Sequence, residues 1–239
     1  MNRILIVKLG STFPHLAAQH GDFDDWIRAR LDPLAGEHVV VRPHEGDGLP
    51  DPQGFAAVVA SGSHAMVTDN HGWSERTAKW LRQVVEAETP FLGICYGHQL
   101  LAWAKGGDVG FNPHGREFGT VETRLTPAAS DDPLFEGLPD VLPVHTCHAQ
   151  AVLRLPPGAT LLASSGMDPH HAFRLGPAAW GVQFHPEFDE YATHMYIEQC
   201  AEDLRREGRN PDVLRRAVRA TPQCESLLRR LCRIASGDA

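Results

Sequence analysis

Short apolar runs alternate along the chain with longer segments whose apolar positions recur every three or four residues, the pattern of βα units packed as a mainly parallel sheet flanked by helices. Strands are predicted at Ile4–Leu9, His38–Val41, Phe55–Ala60 and Phe91–Ile94, and helices at Asp24–Leu31 and Ser74–Glu86. Ser74 is a candidate N-cap for the second helix, with Ala78, Leu81, Val84 and Val85 on one face. From about Glu117 the runs shorten to Thr120–Leu125, Val141–Leu155, Thr160–Ser164 and Ala179–Phe184, bounded by Pro, Gly and Asp, which predicts a small antiparallel addition. Asp131 and Asp132 read as a helix N-terminus. After Phe188 the pattern is helical again. It predicts a single helix over Glu190–Arg206, a break at Asn210-Pro211-Asp212, and two short Arg-rich helices at Val213–Ala220 and Glu225–Ile234.

Length and composition narrow the class. At 239 residues the chain suits one large domain over residues 1–200, with residues 201–239 as an Arg-rich helical extension packed on the same domain. Hydrophobic residues make up 42% and charged residues 22%, and no apolar run approaches the ~20 residues that span a bilayer, so no membrane partner is expected. The opening residues lack the cationic stretch, apolar helix and cleavage site of a leader, and five scattered cysteines do not form a disulfide framework. A cytoplasmic setting is the expectation. A net charge of −8 argues against nucleic acid as a partner, although the extension carries nine arginines against six acids and reads chiefly as a solvated basic face.

Candidate chemistry concentrates at Phe91-Leu92-Gly93-Ile94-Cys95-Tyr96-Gly97-His98-Gln99. An apolar strand ends at Ile94, glycines frame Cys95, and a helix with Leu100, Leu101 and Ala104 follows, which is the layout of a nucleophile elbow. Cys95 would sit at a helix N-terminus, where the dipole favours thiolate, and the Tyr96 amide would point at the same place. A thiolate needs a base, and the run Trp180–Phe184 ends in His185-Pro186-Glu187. Residues two apart in an extended chain share a side, so Glu187 can orient His185 while the ring faces Cys95.

Together the elbow and the downstream His-Pro-Glu resemble the triad of class I glutamine amidotransferases, in particular the amidotransferase domain of GMP synthases and its stand-alone relatives, over about residues 3–200. The resemblance implies a flavodoxin-like fold with Cys95 as nucleophile, His185 as acid/base and Glu187 as its orienter. It also matches Gly62, within Ala60-Ser61-Gly62-Ser63, to the second oxyanion-hole amide beside Tyr96, and Gln99 to a residue shaping the substrate pocket. The segment Val144–Gln150 lies where synthases show a Ser-His-x-Asp element that holds the amino-acid end of glutamine. His148 matches it, while Cys147 stands for the serine and Gln150 for the aspartate.

The resulting expectation is a hydrolase that releases ammonia from the γ-amide of L-glutamine through a Cys95 thioester, with a separate synthetase chain as ammonia acceptor, because nothing in residues 201–239 resembles an ATP-pyrophosphatase domain. A γ-glutamyl peptidase acting on γ-glutamyl amides or conjugates without a partner, and a catalytically silent partner-binding subunit, remain as alternatives. No cofactor and no metal is expected: His145, Cys147, His148, His170 and His171 fit no familiar zinc spacing. Trp73, Trp80 and Trp103 read as packing residues, and Cys200, Cys224 and Cys232 as inert residues on helical faces.

Overall fold

The computed structural model describes residues 3–32 and 36–237; the first two residues of the opening run, residues 33–35 and the last two of the Arg-rich extension lie outside this description. In chain order the elements are β1 (Arg3–Val7), α1 (Pro14–His20), α2 (Phe23–Arg30), β2 (Glu37–Val41), β3 (Ala57–Ala60), α3 (Gly72–Glu86), β4 (Phe91–Ile94), α4 (Tyr96–Ala104), β5 (Asp108–Phe111), β6 (Glu117–Leu125), β7 (Val141–His148), β8 (Gln150–Arg154), β9 (Ala159–Ser164), β10 (Ala172–Leu175), β11 (Ala179–Val182), α5 (Glu190–Gln199), α6 (Ala201–Arg206), α7 (Pro211–Ala217) and α8 (Pro222–Ser236).

Nine strands form one sheet in the order β2-β1-β3-β4-β11-β10-β9-β6-β7, and β5 pairs with β8 in a second, small antiparallel sheet. The first five strands in that order are parallel, and the rest run antiparallel to their neighbours. β1, β3, β4 and β11 are apolar on both faces, as burial by helices on both sides requires, whereas the edge strand β2 has no fully buried residue. Within β1, Ile4 and Ile6 face a core shared with α2 and α8, while Leu5 and Val7 face one shared with α3 and α4. Alternating side chains thereby separate the two helical layers. The Arg-rich extension is not merely a solvated face: α8 buries Cys224, Leu227, Leu228, Leu231 and Cys232 in the first of these cores.

Several boundaries differ from the sequence expectation. The run Val141–Leu155 is two strands in different sheets, β7 and β8, with Ala149 between them. The helix expected over Glu190–Arg206 breaks at Cys200, whose ψ of 6° leaves the helical region; no Pro or Gly marks that break. Ser74 lies inside α3 rather than at its cap, its hydroxyl 2.7 Å from that of Tyr96. Asp132 begins no helix. It is fully buried, accepting from the Leu134 backbone, the Trp180 indole and the Arg174 guanidinium. Among the described residues no helix is long and apolar enough to cross a membrane.

Candidate active site

The C-terminal ends of β4 and β11 lie side by side, with Gly181 and Val182 in register with Gly93 and Ile94. This brings the cysteine elbow and the His-Pro-Glu run to one end of the sheet. Cys95 closes β4 and caps α4 with φ 50° and ψ −96°, a left-handed conformation that a side chain adopts at a cost of about 1–3 kcal/mol. Its amide donates to the Val182 carbonyl and its carbonyl accepts from Gln99, so both neighbouring elements hold the bend. The flanking glycines are required: a Cβ on Gly93 would fall 2.5 Å from the Gly97 carbonyl oxygen, and one on Gly97 would fall 2.7 Å from that of Ala60.

His185 and Glu187 are buried beside Cys95, with Nδ1 of the imidazole 2.8 Å from Oε1 of the carboxylate. The ring also stacks on Phe188 at a centroid distance of 4.1 Å, which fixes its plane. Burial alone would depress the imidazole, but the Glu187 carboxylate, followed by Cys95, raises its pKa to about 10. Glu187 thereby favours the imidazolium form of the ring. Gly62 lies against the same pair, since a Cβ there would meet His185 Cε1 at 3.2 Å and Cys95 Cβ at 3.8 Å. Tyr96 opens α4, where the first-turn amides have no partner within the helix.

A cavity of about 260 Å³ opens at Cys95, close to the lower limit of roughly 300–1,000 Å³ found for small-molecule sites. Gln99, Cys147, His148 and Gln150, the four substrate-binding candidates of the sequence, all line it. Their hydrogen bonds divide them into braces and free groups. Gln99 is a brace, its amide nitrogen donating to the Gln150 carbonyl and to Gln183 Oε1. His148 differs from the expectation for a substrate ligand, because both ring nitrogens are engaged by protein, Nδ1 with the Gln150 carbonyl and Nε2 with Glu117. Cys147 places its carbonyl oxygen 4.0 Å from Cys95 Sγ, and burial pushes its own thiol well up. Gln150 donates through Nε2 to Thr68 Oγ1 at 2.6 Å, while its Oε1 is buried without a hydrogen-bond partner among the described residues.

The opposite wall was not foreseen from the sequence. Phe13, His64, Met66, Phe118, Tyr196 and Cys200 also line the cavity, as does Arg116. The Tyr196 hydroxyl joins them, 2.8 Å from Thr12 Oγ1 and 3.0 Å from His64 Nε2. Thr12 is in turn fixed through its amide to Asp22, which shares the buried Lys8 ammonium with Asp24. Burial, then the nearby His185, lowers the His64 pKa. Cys200 thus lines the cavity, and burial raises its thiol pKa as it does those of Cys224 and Cys232. No contiguous motif signals this wall; its residues come from segments more than a hundred positions apart.

A parallel sheet carrying a strained cysteine between strand and helix, with a histidine and carboxylate delivered by the neighbouring strand, defines the class of cysteine-elbow α/β proteins. Comparison with known proteins narrows it. Residues 34–203 match the family model for glutamine amidotransferase class-I, more than half of the chain, and the chain belongs to that family. It is 35% identical over 189 residues to the GMP synthase [glutamine-hydrolyzing] of Aeropyrum pernix, and 35% over 192 residues to that of Bordetella avium, each alignment covering 77% of this chain. The aligned part is 32% and 34% of those two proteins, so the chain spans about a third of the length of the curated relatives it matches. In fold it superposes on a glutamine amidotransferase from Thermotoga maritima with a TM-score of 0.76 at 24% identity, covering 98% of this chain and 97% of that one. A glutamine amidotransferase from Methylobacillus flagellatus gives 0.73 at 21% identity, covering 99% and 93%.

Proposed function

We propose that this chain hydrolyses the γ-amide of glutamine to glutamate and ammonia through a thioester on Cys95. Cys95 Sγ, its proton passed to His185, attacks the γ-carbonyl carbon, and the amides of Gly62 and Tyr96 receive the negative charge on its oxygen. As the tetrahedral intermediate collapses, the C–N bond breaks and imidazolium His185 passes its proton to the departing nitrogen, releasing ammonia. Neutral His185 then takes a proton from water, whose oxygen attacks the thioester. The C–S bond then breaks with sulfur leaving as thiolate beside the imidazolium, which restores the starting pair, and glutamate leaves as its new γ-carboxyl gives the second water proton to solvent. Glu187 keeps the imidazole in the required orientation and stabilises its charged form. The observation that carries this reading is the convergence of three features at one end of the sheet: the left-handed cysteine cap of α4, the buried His185–Glu187 pair and the cavity at Cys95.

The ammonia acceptor would be a reaction on a separate synthetase chain or domain, consistent with relatives named GMP synthase in which the similar region is a third of the protein. One observation favours a second substrate class, γ-glutamyl peptides or conjugates. The wall formed by Phe13, Met66, Phe118 and Tyr196 offers an apolar surface to a substituent on the leaving nitrogen, which free glutamine lacks. Ammonia release from L-glutamine, measured beside amine release from a panel of γ-glutamyl peptides and anilides, tests both. A glutaminase prefers glutamine in kcat/KM; a peptidase prefers substituted amides. Activity on neither substrate class removes the proposal.

A further inference from the structure

Behind the cavity, three buried side chains that the proposed reaction does not use point at one another. Glu117 opens β6, His148 closes β7 opposite it in register, and His171 immediately precedes β10. Nε2 of His148 and Nε2 of His171 lie 3.1 Å and 2.9 Å from the same carboxylate oxygen, Glu117 Oε2. All three side chains are at most 3% exposed.

The outer contacts decide what faces inward. Nδ1 of His148 is 2.9 Å from the Gln150 carbonyl oxygen, which can only accept, so that nitrogen carries the hydrogen. Nδ1 of His171 is 3.2 Å from Thr123 Oγ1, and the Thr123 hydroxyl gives its hydrogen to the Ser164 carbonyl at 3.0 Å, so this nitrogen also donates. With each Nδ1 spent outward, both Nε2 atoms are directed at Glu117 Oε2. The carboxylate is oriented as well, because its other oxygen accepts from Ser165 Oγ at 2.6 Å. The three potential ligand atoms lie within 4.8 Å of one another in a dry site, an arrangement that a cation between them would satisfy.

We propose that Glu117, His148 and His171 bind one divalent transition-metal ion, with Zn²⁺ the best match to the donor set. Two imidazole nitrogens and one carboxylate oxygen suit Zn²⁺ and its first-row neighbours and not Mg²⁺ or Ca²⁺, which take oxygen ligands. Zinc ligands at ~2.0–2.1 Å in tetrahedral array stand roughly 3.3 Å apart; the two nitrogen–oxygen separations are 3.1 Å and 2.9 Å, and all three donor atoms lie within 4.8 Å of one another. The Gln150 carbonyl and Thr123 hydroxyl supply the partners on the far ring nitrogens that orient metal-bound histidines. The ion would tie β6 and β7 to the chain leading into β10, directly behind Cys147 and Gln150, and so stiffen the cavity wall. Its role is structural and independent of the proposed hydrolysis.

The test uses the full chain carrying Cys95→Ser, which removes the cavity thiol as a competing ligand. After dialysis against a chelator, titration with Zn²⁺ should give one ion per chain and a higher Tm. Co²⁺ should give a visible spectrum of nitrogen and oxygen ligation without a thiolate charge-transfer band. His171→Asn and Glu117→Gln should each weaken binding at least tenfold. Because either could disturb the buried network, far-ultraviolet circular dichroism checks their fold, and Ser165→Ala, which frees the carboxylate to turn without removing a ligand, should weaken binding to a lesser degree. No binding at tens of micromolar Zn²⁺ overturns the proposal. So does binding that persists undiminished in His171→Asn, which would place the ion on surface histidines.

Discussion

Nδ1 of His185 lies 2.8 Å from Oε1 of Glu187, and the pair shares one side of the chain because Pro186 alone separates them. Against the opposing effect of burial, the Glu187 carboxylate and then Cys95 raise the imidazole pKa from 6.5 to about 10. A group whose folded pKa exceeds its unfolded value stabilises the protein fully below the unfolded pKa and loses that contribution as pH rises through the folded one. Glu187→Gln removes the charge that is the largest single cause of the raising. The stability gap between wild type and Glu187→Gln should therefore be full near pH 6 and shrink toward pH 10, as read from urea midpoints across that range. A gap that is constant, or that widens with pH, would show that Glu187 does not hold the imidazolium.

Cys95 adopts φ 50° and ψ −96°, where glycine is unstrained and any Cβ is not. Cys95→Ala and Cys95→Gly should both abolish hydrolysis, yet differ in stability. The glycine variant should be more stable than the alanine variant by about 1 kcal/mol, because it releases strain stored at the proposed nucleophile. Urea unfolding of the two variants measures this directly. An alanine variant at least as stable as the glycine one would mean that the bend carries no strain.

Gly97 sits in α4, where alanine is normally favoured by ~1 kcal/mol. A Cβ there would nevertheless fall 2.7 Å from the Ala60 carbonyl oxygen, backbone that cannot move without shifting β3. Gly97→Ala should thus destabilise the protein by roughly 1–3 kcal/mol, the usual range for overpacking, and reduce activity by displacing Cys95. Gly54→Ala, with nothing within 4 Å of the added methyl, is the matched control and should be close to neutral. Thermal melts of the two variants decide it; equal Tm values would dismiss the close approach as the reason for Gly97.

What the sequence makes legible is what lies in contiguous runs. Gly93 to Gly97 declares the strand-to-helix corner because only glycine fits on both sides of Cys95, and His185-Pro186-Glu187 declares a shared face because an extended chain repeats every two residues. The parallel half of the sheet is legible for the same reason, as its doubly buried strands are short apolar runs. Features assembled across the fold are not. Glu117 meets His148 and His171 from 31 and 54 residues away, and the spacing of those histidines matches no metal motif. His64 reaches Tyr196 across 132 residues. Ser74 looks like a cap until the structure shows its hydroxyl spent on Tyr96, and the bend at Cys200 has neither Pro nor Gly to announce it.

Gln150 offers the last prediction. Its Nε2 is fixed by Thr68 Oγ1, which leaves Oε1 as a buried acceptor on the cavity wall with no protein donor among the described residues. If the proposed substrate presents its α-ammonium to this side chain, the neutral amide would give it a weaker contact than a carboxylate would. Gln150→Glu keeps the length and shape of the side chain, and the Thr68 hydroxyl can reverse to donate to the new oxygen. A bond to an ionised partner is worth ~1.5–3 kcal/mol against ~0.5–1.5 kcal/mol for a neutral one, and a difference of about 1.4 kcal/mol is a factor of ten. KM for L-glutamine should fall roughly tenfold in Gln150→Glu with kcat little changed, because the gained contact is equal in ground and transition states. Nα-acetylglutamine, which has no ammonium, should gain nothing, so the ratio of its KM to that of glutamine is the quantity to measure. If both substrates shift together, or neither shifts, Gln150 does not face the amino end of the substrate, and the orientation of glutamine in the cavity must be reversed.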